Sequence, residues 1–163
     1  MVRLCFMCIM NNQHCQSKTP WYCPVDIIGV CEVIEDRLSI QPPSTTTNEV
    51  SEKERRRTSR MRAVIENLCV RADYRRCGVG MSLIQACEED VVQSWPGYDE
   101  VYTQVEVGNT EAYQLFQKCG YHCMFDDATC TKIVLDDSSI LPKEVTVEKH
   151  LMRKILVTDD NGL

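Results

Sequence analysis

Apolar and polar positions divide this chain into short stretches of two different periods. Val2 to Met10 is an apolar, cysteine-rich run, and Asp26 to Glu35 (DIIGVCEVIE) is rich in β-branched residues with one glycine inside. Runs of this length and composition predict strands, and their closeness in the chain predicts an antiparallel pair. Ala63 to Val70 (AVIENLCV) is the next predicted strand, and Glu100 to Val107 (EVYTQVEV) alternates with the period of two that a half-buried strand requires. Between these two the period changes. Leu83, Ile84, Cys87 and Val91 recur at helical spacing from Met81 to about Trp95, with Glu88, Glu89 and Asp90 as a polar face, and Pro96-Gly97 stops the helix. A second helix is predicted from a cap at Asn109, with Ala112, Leu115, Phe116 and Cys119 on one face and Gly120 at its end. Tyr121 to Phe125, Cys130 to Leu135 and Lys149 to Val157 are three further strand candidates. The alternation of strand, helix, strand and helix, closed by strands, predicts an α+β fold: a mixed sheet flanked by helices.

The remaining segments are polar. Asn11 to Pro24 has no period and contains two prolines, so it reads as a loop. Gln41 to Arg62 opens on Pro42-Pro43, passes through a serine and threonine run and ends in Arg55, Arg56, Arg57, Arg60 and Arg62. It reads as a flexible, exposed loop over about 41–62, its arginines either solvated or drawing in an acidic acceptor or partner. No repeat or second domain is visible, and a chain of 163 residues with 44% hydrophobic side chains suffices for one core. With 24 acidic and 18 basic residues the net charge is −6, which argues against nucleic acid as a partner. No apolar run approaches the roughly 18 residues that cross a bilayer, so no membrane partner is expected and the chain reads as soluble. Eleven cysteines would suggest disulfides in a secreted protein, but the number is odd and no secretory signal is visible. Cys31, Cys69, Cys87 and Cys119 fall in apolar segments, where a free thiol serves as a small core side chain. An intracellular, cytoplasmic setting follows. Cys5-x-x-Cys8 with His14 and Cys15 has the spacing of no standard closed zinc site, and no metal is expected.

The most informative residues are Arg75-Arg76-Cys77-Gly78-Val79-Gly80, set between a strand and a helix. A glycine-rich turn at a helix start presents backbone N–H groups without intrahelical partners, and the helix dipole adds positive potential. Glycines let the backbone approach a phosphate, and Arg75 and Arg76 add charge. The same pattern also fits an ordinary βα turn with surface arginines. A Walker loop would need a lysine where Gly80-Met81-Ser82 has none, and a dinucleotide fingerprint would need a third glycine and a later acidic residue.

The arginine, two residues, glycine, one residue, glycine pattern, preceded by Asn67-Leu68-Cys69-Val70, resembles the coenzyme A signature of the GNAT superfamily of N-acetyltransferases. Val105-Glu106-Val107 followed by Asn109, Ala112, Leu115, Phe116 and Gly120-Tyr121 resembles the family's second block, and Leu151 to Lys154 its last strand. ENLCV, RRCGVG and the acidic helix before Tyr98-Asp99-Glu100 look most like plant and algal members, many of them plastid proteins. The resemblance spans roughly Asp26 to Tyr121 and implies a GNAT-like, mostly antiparallel sheet with acetyl-CoA as co-substrate and an amine as acceptor, on a protein or a small molecule. By it, Leu68, Cys69 and Val70 would offer backbone groups to the pantetheine arm, Arg75, Arg76, Cys77, Gly78, Val79 and Gly80 would hold the pyrophosphate, and Asn109 would contact the coenzyme arm or simply cap its helix. An amine of pKa near ~10.4 must lose a proton before it attacks. Glu106 is the first candidate base and Glu66, on the neighbouring strand, the second; both also fit ordinary exposed carboxylates.

The sequence departs from the family pattern twice. Phe116 stands where members commonly have a tyrosine that protonates the departing sulfur; Tyr113, one turn earlier, is the candidate substitute, and an unassisted thiolate is the other solution. Little precedes the first strand, where members usually have helices that shape the acceptor pocket, so either the domain is shortened or the start lies upstream of Met1, in which case a leader could carry a chloroplast address. Two functions are open at this point: an N-acetyltransferase acting by direct attack in a ternary complex, and a non-catalytic module that binds acyl-CoA.

Overall fold

The computed structural model describes residues 4–11, 26–40, 60–134 and 142–156. They form β1 (Leu4–Asn11), β2 (Asp26–Leu38), β3 (Arg60–Val70), a 3-10 turn at Ala72–Tyr74, α1 (Val79–Ser94), β4 (Glu100–Glu106), α2 (Thr110–Lys118), β5 (His122–Val134) and β6 (Lys143–Ile155). The six strands make one sheet in the order β1-β2-β3-β4-β6-β5. Every pair is antiparallel except β3 and β4, which run parallel and are joined through α1. The expected α+β fold with a mostly antiparallel sheet is what forms.

The pleat divides the sheet into two faces. Ala63, Ile65, Val101, Val105 and Met152 form the larger core with Leu83, Ile84, Cys87 and Val91 of α1 and Phe116 of α2. Leu38, Val64, Tyr102 and Leu151 form a smaller cluster on the opposite face. Leu83, Ile84 and Val91 are fully buried, each contributing about 1.5–3 kcal/mol of transfer free energy before entropy is subtracted. The glycine noted inside β2 explains how α1 sits so close. A Cβ on Gly29 would lie 2.9 Å from both Leu83 Cδ1 and Val79 Cγ1, so only glycine lets the first turn of α1 rest on the strand.

Two irregularities shape the middle of the sheet. β3 pairs with β4 only at Ala63, Val64 and Ile65, opposite Val101, Tyr102 and Thr103. Beyond that point β3 continues beside β2 as far as Val70, while β4 continues beside β6 as far as Glu106. The sheet is therefore split into a wedge between the ends of β3 and β4. The second irregularity is a bulge: Glu66 faces Glu32 and Cys69 faces Val30, three steps of β3 against two of β2. Asn67 absorbs the extra residue at φ 50, a left-handed conformation that asparagine tolerates, and its side-chain amide donates to the Glu32 carboxylate.

The bulge reverses the alternation. Ala63 and Ile65 point into the helix-side core, and after one extra residue so do Leu68 and Val70, while Cys69 turns outward and is exposed. Cys69 is thus not the core thiol its apolar neighbours suggest, whereas Cys31 and Cys87 are buried as expected. Three further boundaries are corrected. Arg60 and Arg62 belong to β3 rather than to a loop, and Arg62 is no solvated arginine: it donates to the Tyr102 hydroxyl at 3.0 Å and to the Leu38 carbonyl at 3.4 Å, with its guanidinium over the Tyr102 ring. Asn11 is the last residue of β1 rather than the start of a loop. The two strands expected around Asp126 to Thr129 are one, β5, with register shifts at Cys123/Phe125 and Asp127/Cys130. Asp127 Oδ1 accepts from the Thr129 N–H at 2.8 Å, a local bond that lets a polar, turn-like tetrapeptide pass through a strand. The rest of the arginine-rich segment, residues 41–59, and the Cys5, Cys8, His14 and Cys15 side chains lie outside the described residues.

Candidate active site

The end of β3 leads directly into an anion cradle. The Arg71 N–H donates to the Ile28 carbonyl at 2.9 Å, which holds the chain against β2 as it leaves the sheet, and the 3-10 turn then redirects it. Arg76 at φ 63 and Gly78 at φ 85 are both left-handed with Cys77 between them, an alternation that turns successive N–H groups toward one side. Gly78 is the N-cap of α1; no side chain caps the helix, and its first turn has no acidic residue. The opening N–H groups of α1 thus remain for an anion or water. Arg75 Nε donates to the Val70 carbonyl at 3.2 Å. Arg76 pairs with Glu111 at 2.8 Å, but at 72% and 65% exposure the pair is weak and easily exchanged for a ligand phosphate.

A cleft of about 450 Å³ runs over this turn, between the end of β3 and α2. Of the ten expected coenzyme residues, Leu68, Cys69, Val70, Arg75, Arg76, Gly78, Gly80 and Asn109 line it. Cys77 is exposed beside the turn, and Val79 faces Gly29 and the core. A Cβ on Gly80 would meet Leu115 Cδ2 at 3.0 Å, so this glycine serves the approach of α1 to α2 as well as the cradle. Asn109 caps α2, its Oδ1 accepting from the Ala112 N–H at 3.1 Å. That uses only the acceptor end of its amide.

Leu68, Asn109 and Ala112 also line a second cleft of about 400 Å³, so the two clefts meet at the wedge. Glu66 and Glu106 stand on the two strands that diverge around this second cleft, and Gln104, Phe116 and Lys149 are among its other lining residues. Burial pushes the Glu66 carboxyl above the usual carboxylate range, and the nearby Asp36 charge adds to the rise against the opposing pull of Lys149. Glu106 is held differently, accepting from Lys132 Nζ at 2.7 Å. Phe116 is buried edge-to-face against Tyr121 with centroids 5.1 Å apart.

A parallel pair that splays after three residues, a bulge at the point of splaying and a glycine cradle beside it are now accompanied by a family match: residues 10–121 fit the acetyltransferase (GNAT) family model. The chain belongs to the GNAT family. It is 31% identical over 91 residues to the GCN5-related N-acetyltransferase 5, chloroplastic, of Arabidopsis thaliana, covering 56% of this chain and 25% of that protein. The chain thus spans about a quarter of the length of that curated relative, whose plant origin agrees with the plant resemblance of ENLCV and RRCGVG. Among solved structures, Arabidopsis thaliana NAA60 in complex with a bisubstrate analogue superposes with a TM-score of 0.53 at 17% identity, over 87% of this chain and 72% of that one. An IAA acetyltransferase from Bacillus cereus superposes with a TM-score of 0.52 at 15% identity, over 80% and 71%. At these identities the structural matches establish the GNAT fold.

Within this GNAT domain the structure brings Glu66, Glu106 and eight of the ten residues expected to bind coenzyme around one wedge and leaves Tyr113 outside it. The Tyr113 ring packs on the His150 ring at 4.6 Å between centroids, and Tyr113 lines neither cleft. Lys149, Gln104 and Gly29 were not anticipated from the sequence. Lys149 reaches the site only because β6 lies beside β4 with Lys149 opposite Glu106, a register that the sequence does not announce. Gly29 did carry a signal, since a glycine within a β-branched strand marks a close backbone approach.

Proposed function

We propose that this chain is an acetyl-CoA-dependent N-acetyltransferase that passes the acetyl group directly to a primary amine, a protein N-terminus, a lysine or a small amine, within a ternary complex. The observation that carries this reading is the continuity of the two clefts through the wedge, with phosphate-binding chemistry at one end and a carboxyl of raised pKa at the other. The pyrophosphate sits on the N–H groups after Gly78, with Arg75 and Arg76 beside it. The pantetheine arm runs along Leu68 to Val70, where the bulge takes Asn67 and Leu68 out of the backbone ladder with β2. A backbone N–H there donates to the thioester oxygen and stabilises the negative charge that develops on attack.

Glu66 suits the base better than Glu106. Its raised pKa brings it nearer the amine it must deprotonate, whereas Glu106 is already held by Lys132. The amine gives its proton to Glu66, directly or through a water, and its lone pair attacks the carbonyl carbon. The C–S bond then breaks toward sulfur. Phe116 has no proton to give and Tyr113 is engaged with His150, so the coenzyme leaves as a thiolate, which a thiol pKa near ~8.5 makes feasible at neutral pH. Similarity to a chloroplast protein supports a plastid setting.

The test is purified protein with acetyl-CoA and a panel of protein N-termini, lysine peptides and polyamines, following free thiol and acetylated product together. Stoichiometric product from at least one acceptor is expected. Tight coenzyme binding with no transfer to any acceptor would establish the non-catalytic acyl-CoA module instead.

A further inference from the structure

We propose that Cys123, Asp126 and His150 form a binding site for a divalent transition metal of the zinc type, separate from the coenzyme and acceptor clefts. The side-chain donor atoms of these three residues all lie within 4.8 Å of one another. Asp126 Oδ1 stands between the other two, 2.5 Å from His150 Nδ1 and 3.8 Å from Cys123 Sγ. Residues three apart in a strand ordinarily point to opposite faces. Here Cys123 faces Met152, Phe125 faces Leu151 and Asp126 faces His150, so the shift at Met124 inserts one extra residue and returns Cys123 and Asp126 to the same face. The cluster is thus a product of sheet register, assembled from two strands.

The donor set decides the class of ion. One imidazole, one thiolate and one carboxylate suit zinc and cobalt, whereas magnesium and calcium take oxygen ligands. With zinc–nitrogen and zinc–oxygen bonds near ~2.0 Å and zinc–sulfur near ~2.3 Å, tetrahedral donors stand about 3.3–3.6 Å apart. The nitrogen–oxygen pair must open and the sulfur–oxygen pair close slightly, and both movements fall to the exposed Cys123 and Asp126 side chains. The His150 ring is the fixed member, packed on Tyr113 and with its side chain only 17% exposed. Three protein ligands leave the fourth position to water. On binding, the Cys123 thiol loses its proton to solvent and stays as the thiolate ligand, His150 offers the Nδ1 lone pair of the neutral ring with its hydrogen on Nε2, and the metal keeps its oxidation state. None of the three residues lines either cleft. The ion fastens β5, at the edge of the sheet, to β6 and through Tyr113 to α2.

Cobalt(II) titration of the full chain, stripped of metal and kept reduced, tests the proposal. A background variant with Cys5, Cys8 and Cys15 replaced by Ser removes the other cysteine-rich segment. In that background one equivalent of cobalt is expected to give a thiolate charge-transfer band that zinc abolishes. C123S and H150Q should each lose the band while keeping the circular dichroism of the parent, and D126N should weaken binding about tenfold or more. Failure of the band to appear in the background variant overturns the proposal, as does its survival in either C123S or H150Q. Zinc should also raise the melting temperature of the background variant and leave that of H150Q unchanged.

Discussion

The two ends of the wedge are built in opposite ways. The end proposed for the coenzyme takes its turn from one stretch of chain: Leu68 to Gly80 runs from a bulged strand into a helix start with two left-handed residues, and Asn109 and α2 add the facing wall. The acceptor end has almost no local sequence of its own. Glu66, Gln104, Glu106 and Lys149 come from three strands, brought together by the order β3-β4-β6 and a register that sets Lys149 opposite Glu106. A phosphate can be held by any main chain of the right curvature. An amine must meet one carboxyl with the right pKa, and that depends on what lies around it.

The largest expected effect separates the two ends. Gly78→Glu places a carboxylate in the cradle at a left-handed position, and should weaken coenzyme A binding by about 100-fold or more in calorimetry. The missing Cβ faces open space, so the fold should survive at a cost of about 1–2 kcal/mol. An unchanged affinity would remove coenzyme A from this site altogether. Glu66→Gln should do the reverse, lowering kcat by about 100-fold while leaving coenzyme affinity intact. In the native protein the acid limb of kcat/KM should lie above the ordinary glutamate value of ~4.3, since a base with a raised pKa stops working sooner as pH falls. The same shift has a stability signature of known sign. Between ~4.3 and the folded value the folded state holds more protons at Glu66, so its contribution to stability is lost as pH rises, and Glu66→Gln should lack that slope. A variant that keeps both the rate and the slope would return the role of base to Glu106.

Smaller effects sharpen the comparison. Gly29→Ala should destabilise the domain by about 1–3 kcal/mol in denaturant titration, because the new methyl would sit 2.9 Å from Leu83 and Val79. It should also loosen coenzyme binding, since the first turn of α1 rests there. Tyr113→Phe keeps the ring on His150 and should leave kcat within about twofold. A loss of 100-fold would make this tyrosine the proton donor to sulfur.

The contrast also explains what could be read in the sequence. Local patterns revealed α1, α2 and the cradle, because helical spacing, Asn109 as a cap and Gly78 as a turn residue act over a few neighbours. They failed wherever alternation broke. Cys69 reads as a core residue until Asn67 adds its extra step, and Asp126 to Thr129 read as a break between strands until the Asp127 side chain is seen to satisfy the backbone. Arg62 reads as part of a basic surface because nothing nearby in sequence predicts Tyr102 beneath it. The bulge at Asn67 adjoins the wedge and the shift at Met124 adjoins the proposed metal cluster, as expected where a strand gives up regularity to aim a residue.

The short pairing of β3 with β4 implies a link between occupancy and cohesion. Over three residue pairs the two halves of the sheet share a seam, and beyond it they are joined mainly through α1 and the helix-side core. A pantetheine arm lying in that gap would act as a temporary strand, so amide hydrogens at the ends of β3 and β4 should exchange with solvent more slowly when coenzyme is bound. Coenzyme at 100 times its Kd would add about 2.7 kcal/mol to the stability of the folded state. The cofactor pool would then govern how long the domain resists unfolding as well as how fast it works.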